Sequence, residues 1–235
     1  MSINSALIFA AGFGTRMGAL TQSIPKPMIQ VSNQPLIDYA LDLILDAKVK
    51  NIVVNVHHLP KQIEAHLASN SHIKILHETP TIFETGGGLK NALSLLGPGP
   101  VITINSDAVW TGNNPISSLL KYWNPDKMDA LLVLIPTSIA QEYKGKGDFN
   151  LDSELRLSRR GANKNAPYVY SGAQIIKTNL LEEILETSFS LNLLWDKMLK
   201  NKRMSGIIHN GGWVDVGRPE GIKVAVAELA RVRNV

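Results

Sequence analysis

The stretch FAAGFGTRMGALTQSIPKPM, from Phe9 to Met28, sets Gly12, Gly14 and Gly18 directly after a short apolar run, adds Arg16, and ends with Lys26 held between Pro25 and Pro27. Glycine permits a tight turn and close approach of the backbone, whose N–H groups can then cradle phosphate. Arginine grips phosphate oxygens through a rigid fork of donors, and flanking prolines narrow where the Lys26 ammonium can point. Residues of these types could hold a phosphate and neutralise it during phosphoryl or nucleotidyl transfer. Such reactions depend on in-line positioning and on charge placed against nonbridging oxygens more than on covalent help. The dinucleotide fingerprint G-x-G-x-x-G is not met, because Met17 stands where its third glycine belongs, and the P-loop pattern occurs nowhere. A dehydrogenase and a P-loop kinase are therefore disfavoured.

Carboxylates appear at two distant places. Asp107 follows the apolar run Val101 to Asn105, and Asp215 lies within Gly211-Gly212-Trp213-Val214-Asp215-Val216-Gly217. Each on its own could cap a helix, whereas a pair brought together suits Mg²⁺, which takes one or two protein carboxylates plus phosphate oxygens and water. Glu84-Thr85-Gly86-Gly87-Gly88 precedes a helical pattern running through Leu96, a flexible junction whose backbone could read a nucleobase edge or a ribose. Two further short elements, Gly147-Asp148-Phe149 and Tyr170-Ser171-Gly172-Ala173, bracket a basic cluster of Arg159, Arg160 and Lys164.

The loop A-A-G-x-G-T-R-M followed by P-K-P-M resembles the signature of the sugar nucleotidyltransferases, the enzymes that make nucleoside diphosphate sugars. Asn105-Ser106-Asp107, the G-D-F and Y-S-G elements and Trp213-x-Asp215-x-Gly217 follow in that family's order, so the resemblance runs from Leu7 to about Glu220. One departure is Ala19, which replaces the usual proline of the signature. The resemblance implies that Ala11, Gly12, Gly14, Thr15, Arg16, Glu84, Thr85, Gly86 and Gly87 bind the nucleotide, with Arg16 and Lys26 catalytic. It further implies that Asn105, Asp148, Ser171 and Gly172 bind the sugar and that Asp107 and Asp215 hold Mg²⁺. The E-T-G-G-G run is similar to that of members acting on uridine nucleotides, which favours UTP over GTP. The expected acceptor is a sugar 1-phosphate, specifically N-acetylmuramate 1-phosphate, whose carboxylate would find a partner in the basic cluster. Mannose 1-phosphate with GTP and glucose 1-phosphate with UTP or dTTP are the alternatives. A non-catalytic sensor would lack Lys26 or the aspartates, and a glycosyltransferase would show Asp-x-Asp where Ser106-Asp107-Ala108 stands.

Positioning these residues requires a particular scaffold. Apolar runs at Ala6 to Ala10, Asn51 to Val56, Ile73 to Leu76, Val101 to Asn105 and Ala130 to Ile135 read as buried strands. Leu36, Ile37, Ala40, Leu41, Ile44 and Leu45 paint one helical face between them. Alternating strands and helices predict an α/β fold, a doubly wound, mostly parallel Rossmann-like sheet. About residues 1–135 would form its nucleotide-binding half. Beyond Pro136 come an extended run from Tyr168 to Ile176, helical patterns at Asn179 to Glu186 and Leu191 to Leu199, and a last helix from Pro219 to Val232. That part is expected to be a small sugar-binding subdomain of the same 235-residue domain.

His57 and His58 adjoin the second strand, so one is expected packed and the other exposed. Trp123, Trp195 and Met28 are expected in the core. The 44% hydrophobic and 19% charged content suits a globular protein, and the absence of cysteine excludes disulfides and thiolate chemistry. A net charge of +4 without basic runs, and only 6% aromatic residues, speak against a nucleic-acid partner. The first apolar run is too short to span a membrane and has no basic leader, so no membrane partner and a cytoplasmic location are expected. No hexapeptide repeat is present, so the acyltransferase domain of bifunctional uridylyltransferases is not expected.

Overall fold

Alternation of side chains decides how the chain begins. Ala6 and Ile8 of β1 (Ser5–Phe9) enter one apolar core and Leu7 enters another, all without solvent exposure. A strand buried on both faces must lie inside a sheet covered by helices on both sides. The computed structural model describes residues 3–233 and shows that arrangement.

After β1 come β2 (Gln30–Val31), β3 (Gln34–Pro35), α1 (Leu36–Asp46), β4 (Asn51–Val56), α2 (Pro60–Leu67) and β5 (Ile73–His77). Next are α3 (Glu84–Leu96), β6 (Val101–Asn105), β7 (Ala108–Trp110), α4 (Pro115–Tyr122) and β8 (Ala130–Pro136). The chain continues through β9 (Phe149–Leu151), β10 (Leu157–Arg159), β11 (Tyr168–Ile176) and α5 (Asn192–Lys200), and closes with β12 (Met204–Ile208), β13 (Trp213–Asp215) and α6 (Pro219–Arg233).

The nine-stranded sheet has a parallel core, β6-β1-β4-β5, in which Phe9 is flanked by Asn55 on one side and Asn105 on the other. The chain leaves β1 outward to β4 and β5, then recrosses through α3 to β6, so the crossovers diverge at the end of β1. Such a divergence opens a crevice beyond the carboxyl ends of the strands. Past β6 the sheet becomes mixed, because β11 runs antiparallel to both β6 and β8 while β12 pairs in parallel with β8. The hairpin of β9 and β10 extends that edge.

Helix α1 buries Leu36, Ile37, Ala40, Leu41 and Ile44, as the spacing predicts, although Leu45 is exposed. Each such buried Leu or Ile contributes roughly 1.5–3 kcal/mol. The pattern at Asn179 to Glu186 yields only a 3₁₀ turn over Asn179–Glu183. Trp195 is buried in the core cluster that holds Leu7, while Trp123 and Met28 are partly buried against the cluster on the opposite face of the sheet, with Ala6 and Ile8. His57 and His58 depart from the expectation. β4 ends at Val56 and Leu59 turns at φ 49, so strand alternation no longer applies to them. Both are half-buried; His57 bonds Glu78 O at 2.7 Å, His58 bonds Thr21 O at 2.8 Å, and the Phe13 ring packs against both.

A third, smaller core beneath α6 joins Met17, Ile29, Val31, Val109, Val214 and Val216. It supports an antiparallel ribbon of β7 and β13 that places Trp213 opposite Trp110, Val214 opposite Val109 and Asp215 opposite Ala108. This ribbon brings the two distant aspartate segments side by side.

Candidate active site

A cavity of about 280 Å³ opens at the carboxyl ends of β1, β4, β5 and β6, where the topology predicts a ligand crevice. Ala11, Gly12, Gly14, Thr15, Arg16 and Lys26 line one end, with Asn105, Ser106, Asp107 and Gly217; Asn55, Glu78, Ile82, Glu84 and Thr85 line the rest.

The charged end is built around the glycine loop. Gly14 sits at φ 65, and a Cβ there would lie 2.9 Å from both Lys26 Cβ and Thr21 Cγ2. Glycine is thus needed twice, for the left-handed turn and for the lysine stem to pass. Lys26 is only 9% exposed, and its ammonium donates to Asp107 Oδ2 at 2.5 Å. The ribbon sets Asp215 beside this pair, with Val216 N donating to Asp107 O at 2.9 Å. Asp215 Oδ1 accepts from Gly217 N at 2.8 Å. Arg16 packs so closely on Gly217 that a Cβ there would lie 3.2 Å from its guanidinium carbon.

Burial pushes the Asp107 carboxyl up, but the Lys26 charge and hydrogen bond, with the Arg16 charge, outweigh it and hold the group below the usual carboxylate range. Asp215 behaves oppositely. Burial, then the negative charge of Asp107, hold it above that range against the pull of Lys26 and Arg16. Two half-buried carboxylates that repel one another, Asp107 on the cavity wall and Asp215 beside it, form with the glycine loop and two cations a donor set that fits Mg²⁺ together with phosphate oxygens.

Beyond the charged end, Asn55 and Glu78 were not legible as site residues. Asn55 Oδ1 accepts from Ala10 N at 2.9 Å and its Nδ2 donates to Glu78 Oε1 at 2.7 Å; Glu78 Oε2 accepts from Phe83 N at 2.7 Å. The network fixes the end of β1 to the start of α3. Its signal in the sequence was a polar residue inside the apolar run NIVVNV, 2% exposed in the fold.

The glycines that follow Glu84 need a correction. They are not a flexible junction but the buried first turns of α3, which begins at Glu84. A Cβ on Gly86 would lie 2.4 Å from the Phe189 ring, and one on Gly87 would lie 2.1 Å from Thr187 O. The Gly86 and Gly87 amides both donate to Phe189 O, at 2.8 and 3.0 Å, so neither residue faces the cavity. Glu84 and Thr85 do, and Glu84 is held at φ 58, a conformation uncommon for a residue with a side chain.

Of the residues expected around a sugar, Asn105 lines the cavity. Gly172, at φ 95 in the bulge of β11, lets the strand pass the Asn105 side chain, whose Nδ2 would be 2.9 Å from a Cβ. Asp148 Oδ2 accepts from Tyr170 N at 2.9 Å, and burial raises its carboxyl above the usual range. Ser171 is a second correction: it is 2% exposed and donates its hydroxyl to Val133 O at 2.7 Å, so it braces β11 on β8 instead of facing a ligand. Arg159 pairs with Asp196 at 2.8 Å and lies over the Phe149 and Trp195 rings. Its charge is committed to α5.

A cavity lined by a glycine loop and two cations at the switch point of a parallel sheet is the arrangement of a nucleotide-using α/β protein. The nucleotidyl transferase family model matches residues 5–231, and the chain belongs to that family. It is 36% identical to the N-acetylmuramate alpha-1-phosphate uridylyltransferase of Caulobacter vibrioides, over 96% of each chain. It is 33% identical to the enzyme of the same name from Neisseria meningitidis serogroup B, over 94% of this chain and 96% of that one. A crystal structure of a UDP-glucose pyrophosphorylase complexed with UDP-glucose aligns with a TM-score of 0.81 at 17% identity, over 98% of this chain and all of that one. That likeness shows the Rossmann-like fold. Among the described residues no helix is long and apolar enough to cross a membrane.

Proposed function

We propose that this enzyme transfers the uridylyl group of UTP to N-acetylmuramate 1-phosphate, releasing pyrophosphate, in the cytoplasm. The observation that carries the transfer chemistry is the convergence of Arg16, Lys26 and Asp107 on one end of the cavity, with Asp215 close enough behind it to feel all three charges. The choice of UTP and of the muramate rests on the two relatives above, each aligned over nearly its whole length.

A phosphate oxygen of the sugar 1-phosphate attacks the α-phosphorus. The new P–O bond forms as the bond to the β-phosphate breaks, and its electrons leave with pyrophosphate. The nucleophile is already an anion near neutrality, with a second phosphate pKa of about 6, so no protein base is needed. The amides of Ala11, Gly12, Gly14 and Thr15 hold the triphosphate, and Arg16 neutralises the leaving β- and γ-phosphates. Lys26, aimed by Asp107 and by the packing at Gly14, stabilises the charge that gathers on the α-phosphoryl oxygens. Mg²⁺, with Asp107 and Asp215 as protein ligands, would supply further neutralisation of the triphosphate when bound. Glu84 and Thr85 contact the nucleoside, and Asn105, Asp148 and Gly172 shape the sugar side. Among the described residues Arg160 and Lys164 form no ion pair within 4 Å, although Arg160 donates to Asn163 O at 2.9 Å and its charge acts on Asp148, and they are left for the lactyl group. In this reading about residues 1–135 serve the nucleotide, and the remainder serves the sugar and closes the metal pair.

Incubating the purified protein with UTP, Mg²⁺ and N-acetylmuramate 1-phosphate should give UDP-N-acetylmuramate and pyrophosphate in equal amounts by mass spectrometry. Absence of any nucleotide sugar with every pairing of nucleoside triphosphate and sugar 1-phosphate would overturn the reading.

A further inference from the structure

A buried carboxylate outside the cavity ties the C-terminal helix to the ribbon that carries Asp215. Glu228 of α6 is 6% exposed. It accepts from Thr111 Oγ1 at 2.6 Å, from Gln141 Nε2 at 3.3 Å, and from Arg231 through Nε at 3.1 Å and Nη2 at 2.7 Å. Only Arg231 belongs to the helix. Thr111 directly follows β7, and Gln141 pairs with Val214 of β13.

Both cross-element donors are also bonded to β13 or its approach through backbone groups. Thr111 N donates to Gly212 O at 3.0 Å, and Gly212 N returns a bond to Thr111 Oγ1 at 3.1 Å. Gln141 N donates to Trp213 O at 3.3 Å, and Asp215 N donates to Gln141 O at 3.0 Å. β13 is therefore held along one edge by β7 and along the other by Gln141, and the Glu228 carboxylate spans the two edges. Gly212 makes room for it, since a Cβ there would lie 2.0 Å from Glu228 Oε1 and 2.5 Å from Thr111 Oγ1.

We propose that Glu228 is a positioning residue for the metal pair, fixing the strand that holds Asp215 against Asp107 by clasping Thr111 and Gln141 together. The proposal rests on the reading of those two aspartates as Mg²⁺ ligands. The hydrogen bonds to Glu228, led by those from Arg231, hold its carboxyl down at about 2, so the clasp is charged near neutral pH. Groups that orient metal ligands from behind typically change metal affinity tenfold to a hundredfold when removed. A residue that merely stabilised the fold would lower the melting temperature and leave metal affinity alone.

The test compares the parent enzyme with Glu228→Gln, which keeps the shape but replaces one accepting oxygen with a donor, and Thr111→Val, which removes the hydroxyl. Two readouts serve: water-proton relaxation by Mn²⁺ bound to the UTP-loaded enzyme, and the Mg²⁺ dependence of pyrophosphate release. Each variant should weaken Mn²⁺ binding by about tenfold or more and raise half-saturating Mg²⁺ to match, with kcat at saturating metal within about threefold of the parent. Mn²⁺ affinity within about twofold of the parent, in folded Glu228→Gln or Thr111→Val, would overturn the proposal. Should Glu228→Gln fail to fold, Thr111→Val alone carries the test. Full turnover by the parent enzyme in excess chelator would instead overturn the metal reading on which the proposal stands.

Discussion

The two ends of this site treat their polar residues differently. At the charged end, Arg16, Lys26, Asp107 and Asp215 come from three separate stretches of chain, and both cations act on both carboxylates. Around the β11 bulge, where a sugar site was expected, Ser171 bonds Val133, Asp148 bonds Tyr170 N, and Arg159 is committed to Asp196. Opposed charges gathered around one cavity leave binding capacity for an anionic ligand and a cation. Polar groups on a bulged strand mostly satisfy the backbone that the bulge leaves unpaired. A motif thus names residue types, but only the packing decides whether a side chain points at a substrate or at its own scaffold.

The sharpest contrast comes from removing the buried cation. Lys26→Ala should lower kcat by roughly a hundredfold or more while the protein stays folded by circular dichroism, because the ammonium acts on charge that grows in the transition state. Near-normal kcat in a folded variant would erase the distinction between the two ends.

Next in size is a stability effect at glycines first read as part of a base-reading loop. Gly86→Ala should destabilise the protein by about 1–3 kcal/mol in urea unfolding, since its Cβ has no room beside Phe189. An unchanged midpoint with a raised KM for UTP would return Gly86 to the nucleotide.

That example shows what the sequence could and could not convey. The parallel core was legible because β-branched runs such as Asn51 to Val56 are buried on both faces and leave an unbroken apolar signature. The charged end was legible because its charges sit in dense local patterns. Glycines 86 to 88 were not, because glycine serves both flexibility and close contact, and the partner that decides between them, Phe189, lies far along the chain. The β7 and β13 ribbon was missed because three-residue strands are too short to show a period. Asn55 was visible as a polar residue in a strand, but its partner Glu78 lies beyond the next strand and gives no local cue.

Smaller effects belong to the region around the β11 bulge. Ser171→Ala should cost about 1 kcal/mol of stability through the lost bond to Val133 O, with KM for the sugar 1-phosphate within about twofold of the parent. A large rise in that KM at unchanged stability would make the hydroxyl a substrate ligand. Smallest of all, Arg159→Ala should leave the preference for an acidic sugar within about twofold, because its guanidinium lies on Asp196 and two aromatic rings. Losing that preference selectively would show that Arg159 turns toward the substrate.

The central claim is uridylyl transfer to a carboxylate-bearing sugar phosphate, and direct competition tests it best. N-acetylmuramate 1-phosphate, N-acetylglucosamine 1-phosphate and mannose 1-phosphate would each be offered with UTP and with GTP, and kcat/KM compared from pyrophosphate release. A charged hydrogen bond to the lactyl group contributes about 1.5–3 kcal/mol, so UTP with the muramate should win over N-acetylglucosamine 1-phosphate by roughly ten to a hundredfold. A clear win for GTP with mannose 1-phosphate would contradict the claim.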